Sequence, residues 1–152
     1  MNPSTVTPWG SDWVWSIPLI VVTVVFHAYA LGQLNQAVSF VLKSNRKTRL
    51  PNIVSVFIVG GTALCATVLQ GVEASIWAIA YCLLGALPDR KSAMLYSLGA
   101  MTTYGNGHLS LESRWQLMGS LEALNGWILF GLTTAFLFTV IQEVWANRKL
   151  PI

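Results

Sequence analysis

The sequence predicts an all-α membrane protein, with three transmembrane helices and a re-entrant helix and loop between the second and the third. Three observations predict it. Hydrophobic residues fill 54% of the 152 positions and charged residues only 10%, whereas a soluble domain carries about 25% charged residues to cover its surface. Three apolar stretches, 14–42, 53–87 and 116–145, each exceed the ~20 residues a membrane helix needs. Between the last two lies a half-apolar segment too short to cross, which ends in glycine and polar residues. The same composition argues against a disordered chain, a nucleic-acid-binding tail and a disulfide scaffold.

Residues 1–13 contain no Lys or Arg, and Trp9, Trp13 and Trp15 suit an interfacial aromatic belt at the start of the first span, 14–42. Ala28-Tyr29-Ala30 fits a small-residue cleavage pattern, but a signal peptide has a basic segment before its apolar core, so the span is expected to remain. The loop 43–52 carries Lys43, Arg46, Lys47 and Arg49, and the tail 146–152 carries Arg148 and Lys149. Six of the nine basic residues thus share one side, which the positive-inside rule makes cytoplasmic, with the N-terminus outside. The loop can also touch anionic lipid heads. The other three, Arg90, Lys91 and Arg114, lie between the second and third spans. Trp145 marks the inner interface of the third span, and no span is rich in arginine, so voltage sensing is not implied.

Ionisable residues at membrane depth are costly and must face protein or water. Glu73 in the second span is such a residue, read chiefly as a structural anchor, with His27 of the first span as its candidate partner. Glu122 of the third span is read as a brace for the short helix, through Arg90, Lys91 or a backbone amide. Trp77, Tyr81, Trp115 and Trp127 read as packing or interfacial residues. Cys65 and Cys82 are 17 positions apart in one span, about 25 Å along a helix, far beyond the ~7 Å between Cα atoms that a disulfide allows.

The segment between the second and third spans divides in two. Arg90–Met101, RKSAMLYSLGAM, makes about three helical turns. Thr102-Thr103-Tyr104-Gly105-Asn106-Gly107-His108 follows it. Irregular backbone at membrane depth is tolerated only where protein or water surrounds it, and Gly105 and Gly107 permit backbone angles that turn successive carbonyls one way.

This Thr-Thr-x-Gly-x-Gly strip, after a short helix and before a long apolar one, resembles the pore loop of the potassium-channel superfamily. The stretch from Glu73 to Trp145 is similar to small bacterial ion-channel proteins of two-transmembrane pore-domain type. Its landmarks include Trp77-Ala78, Tyr81, Leu84-Gly85-Ala86-Leu87-Pro88, Tyr96-Ser97, Trp115, Leu121-Glu122-Ala123, Asn125-Gly126 and Thr134-Ala135-Phe136-Leu137. The resemblance implies a pore domain over 53–145, with outer helix 53–87, pore helix and filter 90–108, and inner helix 116–145. Thr102, Thr103, Tyr104, Gly105, Asn106 and Gly107 would form the filter, whose carbonyls replace an ion's hydration shell, and His108 would stand at its mouth. Gly126 and Gly131 would be inner-helix hinges or close-packing points. Thr133 and Thr134 would face a wet cavity or bond back to their own helix.

The family filter usually reads Thr-Thr-Leu-Gly-Tyr-Gly-Asp. Here Tyr104, Asn106 and His108 replace the aliphatic, aromatic and acidic positions, so the resemblance implies a cation pathway without fixing its ion. His108 is either a pH-sensitive gate or an exposed loop histidine. The implied function is a tetrameric, potassium-like cation channel in the cell inner (plasma) membrane. The permeant monovalent cation is its only ligand; it needs no cofactor, and its partners are the bilayer and three further copies. The alternative is a non-conducting, channel-like subunit serving other membrane proteins. No nucleophile–base pair, phosphate loop, paired carboxylates or metal-ligand spacing points to an enzyme or metal site.

Overall fold

The computed structural model describes residues 10–44, 52–102, 104–105 and 109–149. Its elements are α1 (Gly10–Ser44), α2 (Asn52–Leu83), α3 (Arg90–Met101), a 3₁₀ turn (Ser113–Trp115) and α4 (Gln116–Lys149). All regular structure among the described residues is helical. Among the described residues, three helices are long and apolar enough to cross a membrane: α1, α2, and α4 with its preceding turn. α1 begins at Gly10, four residues before the predicted span, and carries Asp12 in its first turn, where a carboxylate favours the helix dipole. Pro18 lies inside it, as membrane helices tolerate.

α2 stops at Leu83 although apolar residues continue to Leu87. A Schellman closure stops it. Gly85 takes φ +64°, its N–H donates to the Cys82 carbonyl at 3.2 Å, and the Ala86 N–H reaches the Tyr81 carbonyl at 2.9 Å. That pairing satisfies carbonyls the helix end would orphan, and Pro88 follows, unable to continue a helix.

Asp89 starts α3. Its side chain accepts from the Lys91 and Ser92 amides, both at 2.9 Å, and from the Ser92 hydroxyl at 2.7 Å. These bonds, the Ser92 amide foremost, hold the Asp89 carboxyl below its ordinary value of 3.8. A group with a lowered folded-state pKa stabilises above its unfolded value and loses that contribution as pH falls through the folded one. The cap should therefore be complete above about pH 4 and fail below it. Circular dichroism of the detergent-solubilised protein from pH 5 to pH 2 should show this melting. Asp89→Asn keeps a capping oxygen and should flatten it; an unchanged acid profile would discount the cap.

The described residues form two compact units, one from residues up to Val25 together with Gly71–Ile128, the other from Phe26–Gln70 together with Leu129 onward. The first centres on Trp77, Tyr81, Ala93 and Met118, all fully buried, with Leu19, Ile20, Met94 and Tyr96 against them. Within it, α1 and α4 run the same way, since Asp12 lies near the Met118 amide and, eleven residues further along α1, Thr23 Oγ1 accepts from Asn125 Nδ2 at 2.8 Å. Met118 lies in the first turn of α4, where amides lack intrahelical acceptors. The second unit buries Val38, Leu42, Val140 and Val144, with Val54, Ile58 and Val59 of α2 against them.

Candidate functional site

Helix α3 is fixed to its neighbours by a buried carboxylate. Glu122 of α4 is fully buried. Its Oε2 accepts from the Tyr81 hydroxyl of α2 at 2.7 Å, and its Oε1 bonds the Ser97 hydroxyl of α3. Ser97 is shared with the Ala74 carbonyl of α2, at 2.7 Å. One side chain thus joins three helices. The sequence reading sought the partner among Arg90, Lys91 and backbone amides; the hydroxyls take that place because Ser97 and Tyr81 are buried beside Glu122. Tyr81 is therefore more than a packing residue. Its ring meets that of Tyr96 edge-on, with centroids 5.4 Å apart, a favourable aromatic geometry.

Two glycines of α4 admit α3 closely. A Cβ on Gly119 would collide with the Tyr96 hydroxyl, and one on Gly126 would lie 2.6 Å from the Met101 carbonyl oxygen and 2.7 Å from its Cα. Of the two roles predicted for Gly126, the structure therefore displays close packing. Nothing lies within 4 Å of a Cβ on Gly131.

The chain beyond α3 folds back onto the helix end. Thr102 Oγ1 donates to the Leu98 carbonyl at 2.6 Å, and the Gly105 amide to the Gly99 carbonyl at 3.2 Å. Gly105 has φ +74°, which costs a side-chain-bearing residue but not glycine. Tyr104 is 89% exposed. Thr103, Asn106, Gly107 and His108, all predicted filter or mouth residues, lie outside the described residues.

In the second unit, Thr133 is buried. Its Oγ1 is hydrogen-bonded to His27 Nε2 at 3.0 Å and accepts from Gln70 Nε2 at 3.4 Å. Thr134 is exposed and bonds back to the Phe130 carbonyl at 2.9 Å, one of the two roles predicted for it, whereas Thr133 bonds across to α1 and α2. Glu73 is fully buried in the first unit. Among the described residues, no three His, Cys, Asp or Glu side chains cluster as a metal site would require.

Several polar groups escaped the sequence reading. Asp12, Ser16 and Thr23 of α1 are buried in the first unit. Their spacing of four and seven residues is that of one helical face, which the predicted His27 continues four residues on; the apolar residues around them mask the signal. Asn125 is fully buried and holds Thr23.

No family model, no characterised protein and no solved structure matches the chain.

Proposed function

We propose that the chain is one subunit of a tetrameric, membrane-embedded pore-loop cation channel. The observation that carries the reading is the order of contacts between α3 and α4. Tyr96 meets Gly119, Ser97 meets Glu122 and Met101 meets Gly126. The two helices thus progress together, and Gly126 is ten residues into α4, about 15 Å along its axis. The chain must then return to Ser113 to start the turn before α4. A helix of 12 residues extends only ~18 Å, short of the ~30 Å hydrocarbon core. Descent and return beside a spanning helix is the path of a re-entrant pore helix, with Thr102, Tyr104 and Gly105 at its deep end.

Two further features support this reading. Only 22%, 17% and 28% of the most apolar windows of the three long helices are buried, leaving surface for lipid and neighbouring subunits. Leu124, Ile128, Gly131, Thr134 and Phe138 are exposed along one face of α4, which would line the pore or meet the next copy. The basic loop and tail support an orientation with the N-terminus outside. Arg114, one of the three basic residues on the outer side in this orientation, is ion-paired with Glu112 at 2.9 Å.

Potassium and sodium flux through the purified protein in proteoliposomes tests the proposal. Flux should appear in the native protein and fall to background in Gly105→Val, because a β-branched residue is a backbone outlier at φ +74°. The flux ratio of the two ions would report the selectivity left by Tyr104, Asn106 and His108. Absence of flux from folded, inserted tetramers would favour the non-conducting subunit.

A further inference from the structure

The C-terminal end of α2 and the start of α3 enclose an open-sided groove of about 540 Å³, within the ~300–1,000 Å³ usual for ligand sites. We propose that this groove holds one anionic phospholipid, with its phosphate on Arg90 and an acyl chain lying along α2. The inference is independent of ion conduction and requires only that α2 spans a bilayer.

The lining divides by chemistry. Ile79, Cys82 and Leu83 of α2 and Met94 of α3 supply apolar wall, and Ser75 lies at the far end. From Leu83 to Ser75 is eight residues, about 12 Å of helix, a length suited to an extended chain segment rather than to a compact polar ligand. Ile79 and Leu83 are exposed. Their neighbours in a bilayer would be acyl chains, since α2 is apolar enough to span one. Ser75 donates to the Gly71 carbonyl at 2.8 Å and contacts Met94 Sδ at 3.6 Å, so its hydroxyl is occupied within the protein and the floor presents little polarity.

Charge selects the head group. Arg90 lines the groove and is exposed, and a guanidinium matches a phosphate through paired N–H donors. Asp89, the nearby carboxylate, spends its oxygens on two amides and the Ser92 hydroxyl. Lys91 follows directly. Arg90 and Lys91 against Asp89 leave one net positive charge at this turn. Each basic residue near a membrane surface favours anionic over neutral lipid by about fivefold.

The groove carries its own reporter, Cys82. In a Cys65→Ser background, the chain is placed in nanodiscs of phosphatidylcholine alone or with one quarter phosphatidylglycerol. Reaction of Cys82 with a membrane-soluble maleimide is timed, and retained lipid is counted by native mass spectrometry. Phosphatidylglycerol should slow Cys82 labelling about fivefold and be retained in preference to phosphatidylcholine. Arg90→Gln should remove both effects at unchanged thermal stability. Ile79→Trp should fill the groove and lower retention of either lipid. Equal labelling in both lipids, or an undiminished preference in Arg90→Gln, would overturn the proposal. So would a Cys82 shielded whatever the lipid, which would mean that a second copy of the chain covers the groove.

Discussion

Glu122→Ala is expected to destabilise the protein by about 2–4 kcal/mol. The substitution removes two hydrogen bonds and leaves the Tyr81 hydroxyl without its acceptor and Ser97 with only the Ala74 carbonyl. Each side-chain hydrogen bond inside a membrane is worth about 0.6–1.7 kcal/mol, and a stranded buried hydroxyl adds about 1–3 kcal/mol. The emptied volume adds a smaller cavity term. Glu122→Gln keeps the shape and one carbonyl acceptor, while its amide can donate to a hydroxyl lone pair, so its loss should stay near 1 kcal/mol. Thermal unfolding in detergent compares the two. The double variant with Ser97→Ala should lose less than the sum of the single losses, because both remove one contact. Strict additivity would show that the carboxylate does not hold α3. The same variants then bear on the proposed channel, since Thr102 and Gly105 are hydrogen-bonded to the end of α3.

The parts of this architecture legible in the sequence are those written in long runs. Three apolar stretches announce three long helices because spanning a bilayer demands length and hydropathy, and both survive in a linear reading. The stop of α2 was written too, but locally. Gly85, three residues before Pro88, encodes the Schellman closure, and a hydropathy window runs straight through it. The partner of Glu122 was not legible. Its depth showed that it needed one, but hydroxyls and basic side chains compete for a carboxylate equally well on paper. Only the register of α3 against α4 brings Ser97, rather than Arg90, to it. Ser16 and Thr23 were hidden because hydroxyls in a membrane helix can bond to their own backbone. Thr23 does so, to the Leu19 carbonyl at 2.8 Å, while also accepting from Asn125.

Gly126→Ala and Gly131→Ala should move stability in opposite directions. Inside a helix, alanine is favoured over glycine by up to about 1 kcal/mol, and at Gly131 nothing lies within 4 Å to oppose it. Gly131→Ala should therefore be neutral or slightly stabilising. At Gly126 the new Cβ would meet the Met101 oxygen, Cα and carbonyl carbon at 2.6, 2.7 and 3.0 Å. These are backbone atoms at the end of α3, so no side-chain rotation relieves the overlap. Overpacking of this kind costs about 1–3 kcal/mol, which outweighs the propensity gain. The strain should push the C-terminal end of α3 away from α4, and a larger residue such as leucine should push it further. Thermal unfolding of the two alanine variants tests the sign, and proteoliposome flux tests the consequence. A Gly126→Ala protein as stable as the native one would sink the close-packing account. A Gly126→Ala protein that is destabilised while Gly131→Ala is not would place the requirement for glycine in the contact with Met101, rather than in bending of α4.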